Sequence, residues 1–506
     1  MSFKLFAWVV VVSALTISIV SAYNPDQDAQ TDKIIRMHNY ECQNHDVRTE
    51  DDYLLTLHRI PRGRKPNTKK KTPVYLQHGL LGSSADWIIQ GPERSLAYKL
   101  ADEGHDVWLG NVRGNTYSRL HASISPDTKK FWDFSFHEMG VFDVPATIDY
   151  ILNKTGSEQV YYIGHSMGTT MFYVLCSVRP EYNAKIKMMF SLAPIAFMSH
   201  AGTPLRALTN HLETYEVILE TLKSNGELFR RSSLMDWLMK TLCDQNILEA
   251  RFCEEVIFMI CGTDIKEYDL DLQPVLLSHT PAGTSIKTLV HYGQLIKSGY
   301  FRQYDYLKFD NREKYHNDTP PNYDLSRITA PVSLHYSAND LLANVTDVNK
   351  LHALLPHVVA ADEVEDKDFN HLDFIYSKDV NKLLNNNVID RIYRSESGLP
   401  PPPKRNHAEM IIPRRSEYPE FNDFSTSSEH QEAYPMDEEI LDNVVNLKTM
   451  AEKRLETINE KAKLAINRNL KGFKRLLMLE LKKHSNGAHS YAENKLIKWK
   501  NEADVY

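Results

Sequence analysis

The chain has 506 residues, 25% of them charged and 42% hydrophobic. That is a globular composition, and it excludes a wholly disordered, collagen-like or coiled-coil chain while leaving length for roughly three domains. A formal net charge of -7 gives no general electrostatic case for a nucleic-acid partner, and five cysteines in this length exclude a small disulfide scaffold.

At the start of the chain, Lys4 precedes an apolar run from Leu5 to Val20 that ends in the small residues Ser21 and Ala22. This pattern predicts a secretory signal peptide over residues 1–22, cut after Ala22. The run, about 16 residues, is short of the roughly 20 needed to span a bilayer, which favours cleavage over a retained anchor. On a secretory route Asn153, Asn317 and Asn344 open Asn-x-Thr acceptors for glycans. Pro320 weakens the second, and chance sequons are the plainer alternative for each. Cys243, Cys253 and Cys261 fall within 19 residues; an oxidising compartment predicts one local bridge, and the odd count leaves at least one free thiol. No Cys-x-x-Cys spacing or close histidine pair accompanies them, so zinc is a poor alternative.

Between about residues 45 and 200, strand-like runs alternate with helical stretches. The strands are Tyr53 to Leu57, Val74 to Leu76, Asp106 to Leu109, Val160 to Ile163 and Met188 to Leu192. Before the fourth lies a helix signal, with Asp143 as cap, Pro145 in the first turn and Ala146 to Leu152 continuing. Such alternation predicts an α/β fold with a mostly parallel sheet covered on both faces. Residues from about 200 to 308 are helix-prone, an insertion in that core. Strands resume at Pro331 to Tyr336 and Val358 to Val364. After residue 393 the composition turns to Pro, Ser and Glu, which reads as a linker. Farther on, Ala451, Leu455, Ile458, Ala462, Ile466, Leu470, Phe473, Leu477 and Leu481 make one apolar helical face. Ten Lys or Arg stand against four Glu over residues 451–483. A basic amphipathic helix of this kind suits an anionic lipid surface or a protein partner; a solvated helix against the core is the equal alternative. The expected plan is a signal peptide (1–22), a core in two parts (23–199 and 309–392) around a helical cap (200–308), a linker (393–435) and a helical extension (436–506).

The chemistry centres on Gly164-His165-Ser166-Met167-Gly168. A strand leads in and a helical run, Thr169 to Val178, leads out. Strand, sharp turn, helix is the setting that exposes a serine oxygen above a sheet, and the tight turn leaves no room for larger side chains at the glycines. A plain βα turn is the structural alternative. Serine needs a histidine to take its proton and a carboxylate to orient that histidine, in the chain order Ser, Asp or Glu, His. Loops after the last two strands offer Asp340 and His371. Asp347 and Asp362 are rival acids, His352 and His357 rival bases; order and strand-end position favour the first pair. The turn His78-Gly79 after Val74 to Leu76 can present one backbone N–H to an oxyanion, and Met167, following the serine, can present the second.

These residues bring out a resemblance. Over about residues 36 to 390 the chain resembles the acid lipase family of gastric and lysosomal lipases. The matching blocks run from Thr49 to Leu57, from Gln77 to Ser84, from Asp106 to Asn111 with Arg113 to Asn115, and from Phe131 to Met139. They continue with Asn339 to Ala343 and Asn370 to Phe374. The resemblance implies an α/β-hydrolase core with an inserted helical cap and lid, Ser166 as nucleophile, Asp340 as acid and His371 as base. It also implies Leu80 and Met167 as the oxyanion donors, a Cys243–Cys253 disulfide and a free Cys261. Leu234 to Met239 and Val256 to Ile260 are lid or groove candidates, with plain cap packing the alternative. The family usually carries Gln where this chain has Met167. His38 to Cys42 departs from the usual lead-in, and the chain beyond about residue 393 has no counterpart.

The implied activity is hydrolysis of neutral lipid esters, triacylglycerol or cholesteryl ester, at a lipid–water interface. It requires no metal or organic cofactor, and the location is secreted or lysosomal. Two other readings are a non-catalytic lipid-binding or storage protein on the same fold, and an acyltransferase.

Overall fold

A computed structural model describes residues 24–64, 71–202, 225–230 and 260–400, together with residues 206, 209 and 258. The expected signal peptide, Cys243 and Cys253, residues 234–239, most of 256–260, and the linker and extension beyond residue 400 lie outside the described residues.

The strands are β1 (Gln43–Arg48), β2 (Tyr53–Ile60), β3 (Val74–Gln77), β4 (Val107–Leu109), β5 (Leu120–His121), β6 (Val160–His165), β7 (Ile186–Leu192), β8 (Glu227–Leu228), β9 (Thr284–Ser285), β10 (Val332–Tyr336) and β11 (Val358–Glu363). One nine-stranded sheet runs β1-β2-β4-β3-β6-β7-β10-β11, with β5 also pairing β2; β8 and β9 form a separate ribbon. Pairing is antiparallel for β1–β2 and β2–β4 and parallel from β4 to β11. The central strands read as unbroken apolar runs because both faces are covered: every residue of β3 and β6 is buried.

Among the described residues, the α-helices longer than three residues are α1 (Thr31–Met37), α2 (Leu96–Asp102), α3 (Val144–Thr155), α4 (Met167–Val178), α5 (Gln273–His279), α6 (Ile286–Ser298), α7 (Leu307–Tyr315), α8 (Val345–Leu354), α9 (Asp373–Tyr376) and α10 (Asn386–Ser397). α5, α6 and the β8–β9 ribbon fall within residues 200–308. Phe258, one of the lid or groove candidates, is buried against Tyr268, with ring centroids 5.4 Å apart. No helix among the described residues is long and apolar enough to cross a membrane.

Two expectations are corrected. Asp143 is not a cap, because a π-turn over Met139–Asp143 carries the helix through it into α3. Its carboxylate instead accepts from Arg113, at 2.9 Å from the backbone N–H and 2.7 Å from Nε. Arg113 is itself buried and forks onto Asp51 at 2.6 and 2.8 Å. Pairing this buried guanidinium outweighs capping, since an unpaired buried charge is far costlier than a lost cap. Second, the chain does not leave the core at residue 392. α10 continues through Ser397 and ends on Gly398 in the left-handed region, and Glu396 pairs with Lys187 at 2.6 Å.

Register positions the site. Gln77 lies opposite Gly164, His165 opposite Leu192, Leu192 opposite His335, and Tyr336 opposite Glu363. The loops after β3, β6, β10 and β11 therefore open along one edge of the sheet, at the carboxyl ends of its parallel strands, where α/β folds build their sites.

Candidate active site

Ser166 stands between β6 and α4 at φ 52°, ψ -116°. A non-glycine residue there carries strain on the order of 1–3 kcal/mol, and the surroundings hold it. Its N–H donates to the Leu192 carbonyl at 3.0 Å, and its own carbonyl accepts from the Thr169 N–H at 2.8 Å and hydroxyl at 2.7 Å. The flanking glycines are sterically required, as the motif predicted. A Cβ on Gly164 would sit 2.7 Å from the Gly168 carbonyl carbon, and one on Gly168 would sit 2.4 Å from the Gln77 carbonyl oxygen.

The loops after β10 and β11 bring Asp340 and His371 to this serine. The Ser166 Oγ lies 2.8 Å from His371 Nε2, and His371 Nδ1 lies 2.8 Å from Asp340 Oδ2. The Asp340 side chain is 0% exposed and that of His371 4%. Asp340 Oδ1 accepts from the N–H groups of Leu342 and Ala343, both at 2.8 Å. That leaves Oδ2 to accept from His371 Nδ1–H, and this tautomer presents the Nε2 lone pair to the serine hydroxyl.

The rivals are engaged elsewhere. Asp347 accepts from Ser199 and from both the backbone and ring of His200, and Asp362 accepts from Arg391 at 2.5 Å. His357 bonds the Thr329 carbonyl at 3.2 Å, and His352 lies on α8.

The turn after β3 packs directly on the serine: a Cβ on Gly79 would lie 3.2 Å from Ser166 Cβ. The Gly79 carbonyl accepts from His78 Nδ1–H at 2.8 Å and from the Gly82 N–H at 3.2 Å. Because a trans peptide sets its N–H opposite its carbonyl, these bonds fix the direction of the Leu80 N–H. His78 Nε2 accepts from the Val112 N–H and Asn115 Nδ2, both at 3.3 Å, and burial lowers its pKa to about 4, so the ring stays neutral. Met167 opens α4, where an N–H has no intrahelical carbonyl to meet. Its side chain is buried in the core, so the departure from Gln leaves the backbone donor in place.

Three contributors escaped sequence reasoning. His165, beside the serine, donates Nε2–H to the His371 carbonyl at 2.9 Å. Burial, and then the neighbouring His371, lower its pKa to about 3. The Cys261 carbonyl accepts from the His371 N–H at 3.2 Å and the Leu341 N–H at 3.5 Å. Asn339 Nδ2 bonds the carbonyls of Thr263 and Asp368. The signal for His165 was its place in the motif; the other two act on backbone carbonyls, which leave none.

Cys261 is buried and carries no disulfide. Asn153 and Asn317 are exposed, and the Asn344 Oδ1 caps α8 through the Thr346 N–H at 2.9 Å. Among the described residues no group of three or more His, Cys, Asp or Glu could hold a metal ion.

Comparison with known proteins agrees with this architecture. A profile described as a partial alpha/beta-hydrolase lipase region matches residues 31–91, and one described as the alpha/beta hydrolase fold matches residues 72–378. Lipase 1 of Drosophila melanogaster is 39% identical over 387 residues, covering 76% of this chain and 84% of that protein. Lipase 3 of the same fly is 42% identical over 359 residues, with coverage of 71% and 91%. Gastric triacylglycerol lipase of Homo sapiens is 38% identical over 373 residues, with coverage of 73% and 92%.

Proposed function

The chain belongs to the α/β-hydrolase lipases and is a carboxylic ester hydrolase; from that premise we propose that it cleaves neutral lipid esters, triacylglycerol or cholesteryl ester, through an acyl-enzyme on Ser166. His371 Nε2 takes the hydroxyl proton as Oγ attacks the ester carbonyl. The oxyanion is met by the N–H groups of Leu80 and Met167, donors fixed before the charge develops. Collapse of the tetrahedral intermediate breaks the ester bond, and His371 returns its proton to the leaving alcohol. Water then enters and attacks the acyl carbon as it gives a proton to His371; the acyl–Oγ bond breaks, His371 returns that proton to Ser166 Oγ, and the fatty acid is released. Asp340 holds the ring and stabilises its imidazolium without taking the proton.

The single observation that carries this reading is the unbroken chain from Ser166 Oγ through His371 to Asp340, with both links at 2.8 Å. The segment 200–308 covers the acyl site as cap and lid, and the amino-terminal 22 residues direct the chain to secretion or the lysosome. The test is labelling with a fluorophosphonate, alongside hydrolysis of emulsified triacylglycerol and cholesteryl ester. The protein labels and hydrolyses one or both esters, and Ser166→Ala does neither; labelling that persists in Ser166→Ala removes Ser166 as nucleophile.

A further inference from the structure

A second pair of acids sits behind the base. Asp373 lies two residues after His371, at the start of α9, and is buried. Its Oδ2 accepts from the Asn370 N–H at 2.6 Å, while Asn370 Oδ1 accepts from the N–H groups of Leu372 and Asp373 at 2.8 and 3.3 Å. These bonds close the turn that carries His371. Against the turn runs the segment from Cys261 to Glu267. It passes so near that a Cβ on Gly262, at φ 108°, would lie 3.1 Å from the Asn370 Cβ in that turn.

Asp264 in this segment is also buried, and its Oδ1 accepts from the N–H groups of Lys266 and Glu267, both at 3.0 Å. Its buried Oδ2 meets no N–H or hydroxyl donor, and the Asp373 carboxyl lies within hydrogen-bonding reach of the Asp264 side chain. Two ionised carboxylates are acceptors only, so a hydrogen bond between them requires one proton. Like charges this close in a buried site do not both ionise readily.

The charged and titratable neighbours do not supply another partner. Glu267 accepts from Ser377 Oγ at 2.7 Å, the Asp379 N–H at 2.9 Å and Lys266 at 3.2 Å. Against burial, those bonds keep its carboxyl below the ordinary range. Lys266 also pairs with Asp366 at 2.6 Å. The Cys261 thiol is held protonated by burial, with Asp340 and Asp373 adding to the effect. His371 is committed to Ser166 and Asp340.

We propose that Asp264 and Asp373 share one proton, and that this acid pair positions the His371 loop against Ser166, holding the site in register while the proton is bound and loosening it when the proton leaves. The pair acts through His371, so the inference rests on the reading of His371 as base. Burial pushes the Asp373 carboxyl up to about 8, opposed by the Asn370 N–H and reinforced by the charges of Asp264 and Glu267; burial raises Asp264 as well. A pKa raised on folding contributes fully below the unfolded value, about 3.9 for Asp, and that contribution is lost as pH rises through the folded value. The site therefore loosens on the alkaline side, and the titration belongs to the pair rather than to either acid.

The test uses the full chain with Asp264→Asn and Asp373→Asn. Each amide supplies permanently the hydrogen that the proton supplies conditionally. kcat/KM on a soluble nitrophenyl ester is followed from pH 4 to 10, with the fold checked by circular dichroism. The alkaline limb moves up by about one pH unit or more in at least one variant, which is about tenfold more activity than the unsubstituted chain retains on that limb. An unmoved limb in both folded variants overturns the proposal.

Hydrogen-exchange protection of residues 366–378 is measured on Ser166→Ala between pH 6 and 9, after correction for intrinsic exchange. Protection falls about tenfold across the transition; a flat profile overturns the pair even if neither amide variant folds. This readout needs no turnover, so a falling profile with labelling that survives Ser166→Ala defeats the nucleophile and leaves the pair standing.

Discussion

On the nucleophile side of the site, position is set mainly by backbone pressed on backbone. Gly164 abuts Gly168, Gly168 abuts the Gln77 carbonyl, and Gly79 abuts Ser166. On the base side, position is set by side chains and by where their protons reside: Asp340 against His371, Asn370 and Asp373 within the turn, and Asp264 behind it. The first arrangement fails sterically, when an atom is added; the second fails electrostatically, when a charge changes at constant shape.

The contrast can be broken or sharpened by four measurements. The largest effect is expected from Asp340→Asn, which keeps the shape but removes the charge that selects the His371 tautomer; kcat falls by roughly 10⁴ with the fold retained. A loss under tenfold would place the orienting charge elsewhere.

Next is an exception on the nucleophile side. Asp86 is buried beneath the turn after β3, with a carboxylate oxygen 2.1 Å from where a Gly82 Cβ would be. Burial, opposed by its bonds to Ser83 and Tyr376, raises its pKa to about 7. Because the folded value is the higher, its stability contribution is complete below about pH 4 and is lost by about pH 7, up to about 4 kcal/mol. Tm of the full chain falls between those limits, and Asp86→Asn flattens the slope. Equal slopes in the two proteins assign the fall to other groups.

Third, Gly168→Ala drives a methyl into the Gln77 carbonyl and lowers stability by about 1–3 kcal/mol, read as a drop in Tm. A change within error means the turn after β3 yields, and the steric half of the comparison is wrong. Smallest is His165→Leu, which leaves the buried His371 carbonyl short of a donor at a cost of about 1–2 kcal/mol. It is read as a fall in kcat with KM held, partly restored in His165→Gln. No rescue would make the ring a packing element alone.

What was legible in the sequence follows the same division. The serine turn was readable because sterics restrict residue type, and its glycines are where the steric argument requires them. Asp340 and His371 were readable only from order and strand ends, since 21 histidines offer many imidazoles and spacing alone does not choose among them. β1 was missed because it is an outer strand of polar residues, Gln43-Asn44-His45-Asp46, half of them exposed or nearly so, and apolar alternation is absent. Cys261 and Asn339 were missed because one acts through a backbone carbonyl and the other on backbone carbonyls, which every residue has. Asp143 was misread as a cap because the rule sees a carboxylate before a proline and cannot see an arginine thirty positions away.

One consequence concerns where the chain can be shortened. α10 is tied to the sheet at two strands, with Arg391 bonded to Asp362 of β11 and Glu396 to Lys187 of β7. Severing it at residue 393 would strip Lys187 of its counter-ion and expose Val388 and Ile392, which are fully buried, as the last apolar anchors of a frayed end. A stable minimal enzyme must therefore extend past Gly398, and what the chain after it contributes to activity can be measured only from a cut made there.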